Sequence, residues 1–121
     1  MKEDVFATLF DEWNHALQSG DPERVTALYA SDAILLPTMS NLIRHNHEEI
    51  KDYFVHFLSK RPVGIVNESN TRTFDQFLFN SGIYTFSFED GTSVQARFTY
   101  VYQWDGERWL IAEHHSSLMP E

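Results

Sequence analysis

Residues 93–119, SVQARFTYVYQWDGERWLIAEHHSSLM, are the stretch that decides the fold. Two runs rich in aromatic and β-branched residues flank Asp105-Gly106. This pattern predicts a β-hairpin, because Gly adopts the positive φ angles of such turns without strain. The second run ends in the segment HHSS at residues 114–117. The closing hairpin therefore delivers two imidazoles and two hydroxyls to one end of the domain, where a site would be built.

The second half of the chain predicts an antiparallel meander. Turn-forming residues separate four strand-like runs, and short connections make sequential strands antiparallel neighbours. Gly82 interrupts the second run and predicts a kink or bulge that curves the sheet. The four runs cover residues 64–75, 77–88, 93–104 and 108–117.

The first half predicts three helices. Apolar residues recur at helical spacing over residues 3–19. Asp21-Pro22 begins a short second helix, since Asp is a good N-cap and Pro suits the first turn. A third helix begins at Asn46, which is followed three residues later by a Glu in the pattern of a capping box. A short apolar strand at residues 33–36 lies between the second and third helices.

Helices followed by strands predict one α+β domain over residues 1–121, with three N-terminal helices packed on one face of a curved antiparallel sheet. Alternate strand positions form aromatic rows, and the positions between them are not strongly polar. Three helices cover only one face of such a sheet, and monomers rarely expose large apolar patches. We therefore expect a homodimer or a larger ring built through the sheet.

The composition excludes several classes of protein. The chain has no cysteine, which removes disulfides and thiolate chemistry and favours the cytoplasm. Its formal net charge of −9 argues against a nucleic-acid partner. No apolar run approaches the roughly 20 residues of a membrane span, and no leader segment opens the sequence, so no membrane partner is expected.

The order of these elements resembles the nuclear transport factor two-like (NTF2-like) superfamily. Within it the sequence is similar to the association domain of calcium/calmodulin-dependent protein kinase II and to the small bacterial SgcJ/EcaC and SnoaL-like proteins. The segments that carry the likeness are RFTYV at 97–101, DG at 105–106, WLI at 109–111, HHSS at 114–117, YASDA at 29–33 and LLPT at 35–38. The resemblance implies a cone-shaped fold, a pocket between the helices and the concave sheet face, and association through the sheet. The fold hosts several enzyme classes and also assembly domains, so it does not decide function.

Arg97 is the leading candidate for a functional side chain. It lies within a strand of aromatic residues, where an unpaired charge is costly, so it needs a carboxylate or a ligand as a partner. Glu113, expected roughly opposite residues 97–99 on the next strand, could be that partner. A closed pair of this kind would be structural, and an open one would bind ligand.

His115 is the candidate general acid or base, because imidazole exchanges protons near neutral pH. Side chains alternate between the faces of a strand, so if Trp109 and Ile111 face inward, Glu113 and His115 do as well. The neighbouring His114 would then face a partner or solvent. It remains a ligand-binding candidate, since a one-residue change in the hairpin loop exchanges the two faces.

Five further side chains are expected to bind a ligand in the pocket or at its mouth: Trp13, Tyr29, Arg44, Tyr53 and Tyr100. Indole and phenol groups can hydrogen-bond a ligand, although at helical spacing such residues also form ordinary cores. His45 and His47 could join His114 or His115 in a metal site, but the pattern lacks a defined ligand set. No metal and no cofactor is predicted.

The sequence thus predicts an oligomeric small-molecule-binding domain of unassigned substrate. One alternative is a pocket enzyme that performs acid–base chemistry of the isomerase, cyclase or dehydratase type with His115 and Arg97. The other is a purely structural assembly module that resembles the kinase association domain. A deep, partly apolar cavity that receives Arg97 or His115 would favour the enzyme. A closed cavity, with Arg97 satisfied internally, would favour the assembly module.

Overall fold

Side-chain caps begin all three helices in the computed structural model, which describes residues 4–38 and 40–120. The helices are α1 (Val5–Gln18), α2 (Pro22–Thr26) and α3 (His47–Phe57), and a short 3₁₀ turn, Leu58–Lys60, follows α3. Carboxylate or amide oxygens of Asp4, Asp21 and Asn46 accept backbone N–H groups of the first turns. The three predicted helices are confirmed. These signals are local, which is why the sequence shows them plainly.

Five strands form one sheet, in the order β1-β5-β4-β3-β2. They are β1 (Tyr29–Leu36), β2 (Val63–Phe74), β3 (Phe77–Ser87), β4 (Ser93–Trp104) and β5 (Trp109–Leu118). The strands β2 to β5 are the predicted antiparallel meander. The first strand is longer than predicted and lies parallel to β5, so the sheet is mixed at that edge.

The sheet bends where β2 carries a β-bulge. Val66 pairs with Tyr84 and Glu68 with Ile83, so one residue of β2 between these pairs is left over. Gly82 lies against this bulge, and a Cβ atom there would be only 1.9 Å from the carbonyl oxygen of Glu68. The distortion predicted near Gly82 is therefore present, and its extra residue belongs to the partner strand.

All three helices pack on one side of the sheet, which we call the inner face. Its core is mainly aromatic, and the β4 row of Phe98, Tyr100 and Tyr102 is at most 3% exposed. On the opposite side, the outer face, outward-pointing residues of β2 to β5 stay exposed or partly buried, and no helix of the described residues covers them. None of the described helices is long and apolar enough to cross a membrane.

Candidate functional site

A β-bulge in β5 decides which of the two adjacent histidines enters the core. Across the β4–β5 ladder, Val101 pairs with Glu113, but the next residue, Tyr102, pairs with Ile111. Ala112 is therefore the extra residue on β5. Such an insertion breaks the strict alternation of side chains between the two faces of a strand.

Because of this bulge, the side chains of β5 that follow it point to the opposite face from the one predicted. Ile111 and His114 both face inward, and His114 is only 3% exposed. Glu113 and His115 face outward and are exposed. The prediction that Glu113 and His115 face the pocket is wrong. It assumed that side chains alternate strictly between the two faces from Ile111 onward, but the extra residue, Ala112, interrupts this alternation.

Arg97 also lies on the outer face. It pairs across the ladders with Ile83 on one side and Ser117 on the other, whereas Glu113 lies opposite Val101. The expected contact between Arg97 and Glu113 is therefore absent, because the two residues are four ladder positions apart. Within the described part of the chain, Arg97 forms no ion pair. The predicted catalytic pair, Arg97 and His115, is remote from the interior.

The interior holds a continuous chain of hydrogen bonds centred on His114. Trp13 Nε1–H donates to the Tyr29 hydroxyl at 3.2 Å, and that hydroxyl lies 2.9 Å from His114 Nδ1. On the other side of the ring, His114 Nε2 lies 3.2 Å from the Tyr84 hydroxyl, which donates to Ser116 Oγ at 2.7 Å. Each phenol has one proton, so the chain assigns His114 the neutral tautomer with hydrogen on Nε2.

Burial keeps every titratable member of this chain uncharged. The pKa of His114 is lowered to about 3, mainly by desolvation and to a smaller extent by the nearby His115. Burial also raises the pKa of the Tyr29 and Tyr84 hydroxyls well above the ordinary value of a phenol. A histidine that stays neutral, with both ring nitrogens hydrogen-bonded, has a structural role. A general acid or base would instead need to exchange a proton within reach of a substrate.

The space left beside His114 is small. The cavity there has a volume of about 20 Å³, room for one water molecule, whereas organic ligands occupy clefts of roughly 300–1,000 Å³. The predicted ligand-binding residues do lie together, but as packed core. The rings of Tyr100 and His114 stack with centroids 4.0 Å apart, and Trp13 meets Tyr100 edge-on at 5.8 Å. The described interior therefore has no room for an organic molecule.

Arg44 holds a loop against α3. Its guanidinium forms an ion pair with Asp52 at 3.1 Å and lies 5.5 Å from the ring centre of Tyr53. Its backbone pairs with Leu35 of β1. Burial raises the pKa of Tyr53 to about 12. The guanidinium of Arg44 is thus bound by groups of its own chain. It is not free to make the predicted contact with an anion at the mouth of a pocket.

The histidines at the start of α3 have separate partners. His45 Nδ1 lies 2.9 Å from Glu49 Oε1, and His47 Nε2 lies 2.7 Å from the carbonyl oxygen of Tyr29. Over residues 4–38 and 40–120, no three His, Asp or Glu side chains cluster as metal ligands do.

Sequence reasoning missed Tyr84 and Ser116, the two partners that complete the network around His114. In the sequence, Tyr84 belongs to one of the aromatic strand rows, and nothing there gives its hydroxyl a role. The available signal was chemical: a tyrosine on a strand position that faces the core needs a partner for its hydroxyl. Identifying Ser116 as that partner requires the register of β5, which the bulge shifts.

The sequence matches the protein-family model of the calcium/calmodulin dependent protein kinase II association domain over residues 2–120. The chain belongs to this association-domain family. A solved structure from Xanthomonas campestris described as such a domain is 44% identical, with a TM-score of 0.95, and the match covers 100% of this chain and 90% of that one. The structure of this chain has the NTF2-like fold, as its solved structural neighbours do. No curated protein matches the sequence.

More distant structures agree with the fold of the association-domain family. An NTF2-like protein of unknown function from Pseudomonas putida KT2440 is 16% identical, with a TM-score of 0.82 and coverage of 95% of this chain and 84% of that one. Another, from Thiobacillus denitrificans and described as an association domain, is 12% identical, with a TM-score of 0.79 and coverage of 93% and 94%. At such identities the likeness establishes the fold alone.

Proposed function

We propose that this association-domain chain is a self-assembly module whose copies bind each other through the outer sheet face. The observation that carries the proposal is the combination of a filled interior with an uncovered sheet. Helices occupy the inner face, and the interior cavity of about 20 Å³ leaves no site for an organic substrate. A broad, open concavity of about 500 Å³ lies on the outer face, and its lining includes Ile83, Thr99 and the exposed pair Arg97 and His115.

The outer face has the apolar content that an interface core needs. Phe79 and Val101 are cross-strand partners near its centre and are only partly buried. Phe74 and Phe77 pair at one end of the face, and Phe74 is 74% exposed. Covering such residues with a second copy removes them from water, which is the main favourable term in association.

The charges of the outer face are balanced, unlike those of the whole chain. Its strand positions carry two arginines, Arg72 and Arg97, and two glutamates, Glu68 and Glu113. The chain as a whole has a net charge of −9. Copies that approach by other surfaces repel each other, and this face avoids that penalty.

The test compares the same substitution on two surfaces. Val101→Glu on the outer face should convert the oligomer to a monomer of 14.2 kDa, because it buries an unpaired charge in the interface. Val55→Glu, at a helix position that is 49% exposed, should leave the mass unchanged. Light scattering after size exclusion measures both. A monomeric wild-type chain, or equal behaviour of the two variants, would contradict the proposal.

A further inference from the structure

We propose that the outer face carries a binding site for a small phosphate monoester that bears hydroxyl groups, with Arg97 and His115 among the residues that hold its phosphate. The site goes beyond the proposed self-association, because a single chain supplies all of its residues. The ligand occupies the open concavity of about 500 Å³, a volume within the range of small-molecule sites.

Four polar side chains define one corner of this concavity, which we call the donor patch. Arg97 and Ser117 lie opposite each other across the β4–β5 ladder, and Thr99 and His115 form the next outward-facing pair. Opposite residues in a sheet are about 5 Å apart, and alternate residues of one strand are about 7 Å apart. The patch therefore measures about 5 by 7 Å, a distance that arginine and histidine side chains span.

The donor patch is not used by the chain itself. Across the residues that the structure describes, none of its four side chains makes a hydrogen bond, and Arg97 forms no ion pair. Asn70, on the same face, shows the contrast. Its amide donates to Glu68 Oε2 at 3.1 Å and to the carbonyl oxygen of Ser81 at 3.0 Å. The donors of the patch face water and are free to bind a ligand.

The number and placement of these donors favour a phosphate group. The guanidinium of Arg97 presents N–H donors in a planar fork that matches phosphate oxygens, and the imidazole and the two hydroxyls add donors from the other corners. A carboxylate offers two oxygens in one plane. A phosphate monoester offers three acceptor oxygens in a tetrahedral arrangement, which donors on several sides can reach together.

The rest of the concavity favours a hydroxylated carbon skeleton. From Arg97 the lining continues across Ile83 to Glu68, two strands away or about 10 Å at normal strand spacing. Asn70 and Ser81 line the same side. A carboxylate there accepts hydrogen bonds from ligand hydroxyls and repels a second anionic group. The ligand therefore has one phosphate and a short polyol chain or ring, as in a pentose phosphate.

Calorimetric titration of the purified chain with ribose 5-phosphate, ribose and inorganic phosphate tests the site. Ribose 5-phosphate should bind at one site per chain and about 10-fold more tightly than inorganic phosphate, because its hydroxyls add hydrogen bonds, and ribose alone should not bind. NMR shifts should centre on the backbone amides around Arg97 and His115. Failure of ribose 5-phosphate to bind, or an affinity equal to that of inorganic phosphate, would overturn the proposal.

Two arginine variants separate this site from a general attraction between anions and positive charge. Arg97→Gln should raise the dissociation constant of ribose 5-phosphate at least about 10-fold, because it removes charge-assisted hydrogen bonds to the phosphate. Arg72→Gln changes the net charge equally, at an exposed arginine of the same face that does not line the concavity, and should keep the wild-type affinity. Equal losses in the two variants would show that no specific site exists.

The same samples keep this proposal distinct from self-association. Light scattering reports the mass of each variant, and thermal unfolding checks its fold, which both exposed positions should leave intact. A monomeric wild type that binds ribose 5-phosphate contradicts self-association and supports the site. An oligomeric wild type that does not bind it supports self-association and overturns the site.

Discussion

The imidazole of His114 shows how strongly burial determines what a residue can do. Tyr29 and Tyr84 occupy its two ring nitrogens, and Trp13 supplies the first donor in the chain. In the sequence this histidine suggests proton transfer. In the structure its buried ring links secondary-structure elements through hydrogen bonds. The same principle applies to Arg44. Its guanidinium contacts Asp52 and the ring of Tyr53, so it is engaged within the chain.

Removing single hydroxyls should separate used phenols from unused ones. Tyr84→Phe leaves the Nε2–H of His114 without its acceptor, so it should lower the free energy of unfolding by about 1–3 kcal/mol. Tyr100→Phe is the matched control, because the Tyr100 hydroxyl is buried and has no partner among the described residues. That change should be neutral or stabilising. Urea denaturation measures both, and equal losses would refute the assigned network.

Residue identity predicted the members of the interior better than their roles. Trp13, Tyr29, Tyr53 and Tyr100 do lie close together, because their apolar bodies drive them into one core. His115 and Arg97 were misplaced because nothing in the identity of Ala112 announces a bulge. The face of a strand depends on register, and register depends on pairing with residues elsewhere in the chain.

At the scale of elements, helices and hairpins were predictable and the edge strand was not. Caps and turns act over three or four residues, so the local sequence contains the whole signal. β1 begins at Tyr29, which pairs in parallel with Ile111 more than 80 positions away. A contact at that separation has no local signature, and so only residues 33–36 were predicted as a strand.

The bend between β2 and β3 should be intolerant of any side chain at position 82. Gly82→Ala places a Cβ 1.9 Å from a backbone oxygen, and neither strand can move aside without breaking the ladder. We expect a loss of about 3 kcal/mol in the free energy of unfolding. The control is Gly20→Ala, which meets open space and costs about 1 kcal/mol for its positive φ of 75°. Chemical denaturation compares them, and equal losses would mean that the bend can relax.

At the scale of the whole molecule, the neutral histidine makes the fold sensitive to acid. The pKa of His114 falls from 6.5 to about 3 on folding, so the unfolded chain binds one more proton between these values. Stability therefore decreases as the pH falls from about 6.5 towards 3. The contribution is fully present above that window.

A pH series on two histidine variants measures this contribution. Between pH 6 and pH 4, the unfolding free energy of the wild type should fall more steeply than that of His114→Gln, by up to about 1.4 kcal/mol per pH unit. The control is His56→Gln, which replaces an exposed imidazole on α3 and leaves the buried ring in place. NMR titration should show the His114 ring unchanged above pH 5. A ring that titrates near pH 6.5 would disprove its neutral burial.

The balanced charge of the outer face has a kinetic consequence. Two chains of charge −9 slow each other as they approach, over a distance set by a Debye length of about 8 Å in physiological salt. Because the charges of the outer face are balanced, approaches that lead with it carry less of this repulsion, and electrostatics biases the orientations of colliding molecules before any atoms touch. Added salt screens this repulsion, so under the proposed self-association the rate at which chains associate should rise with ionic strength.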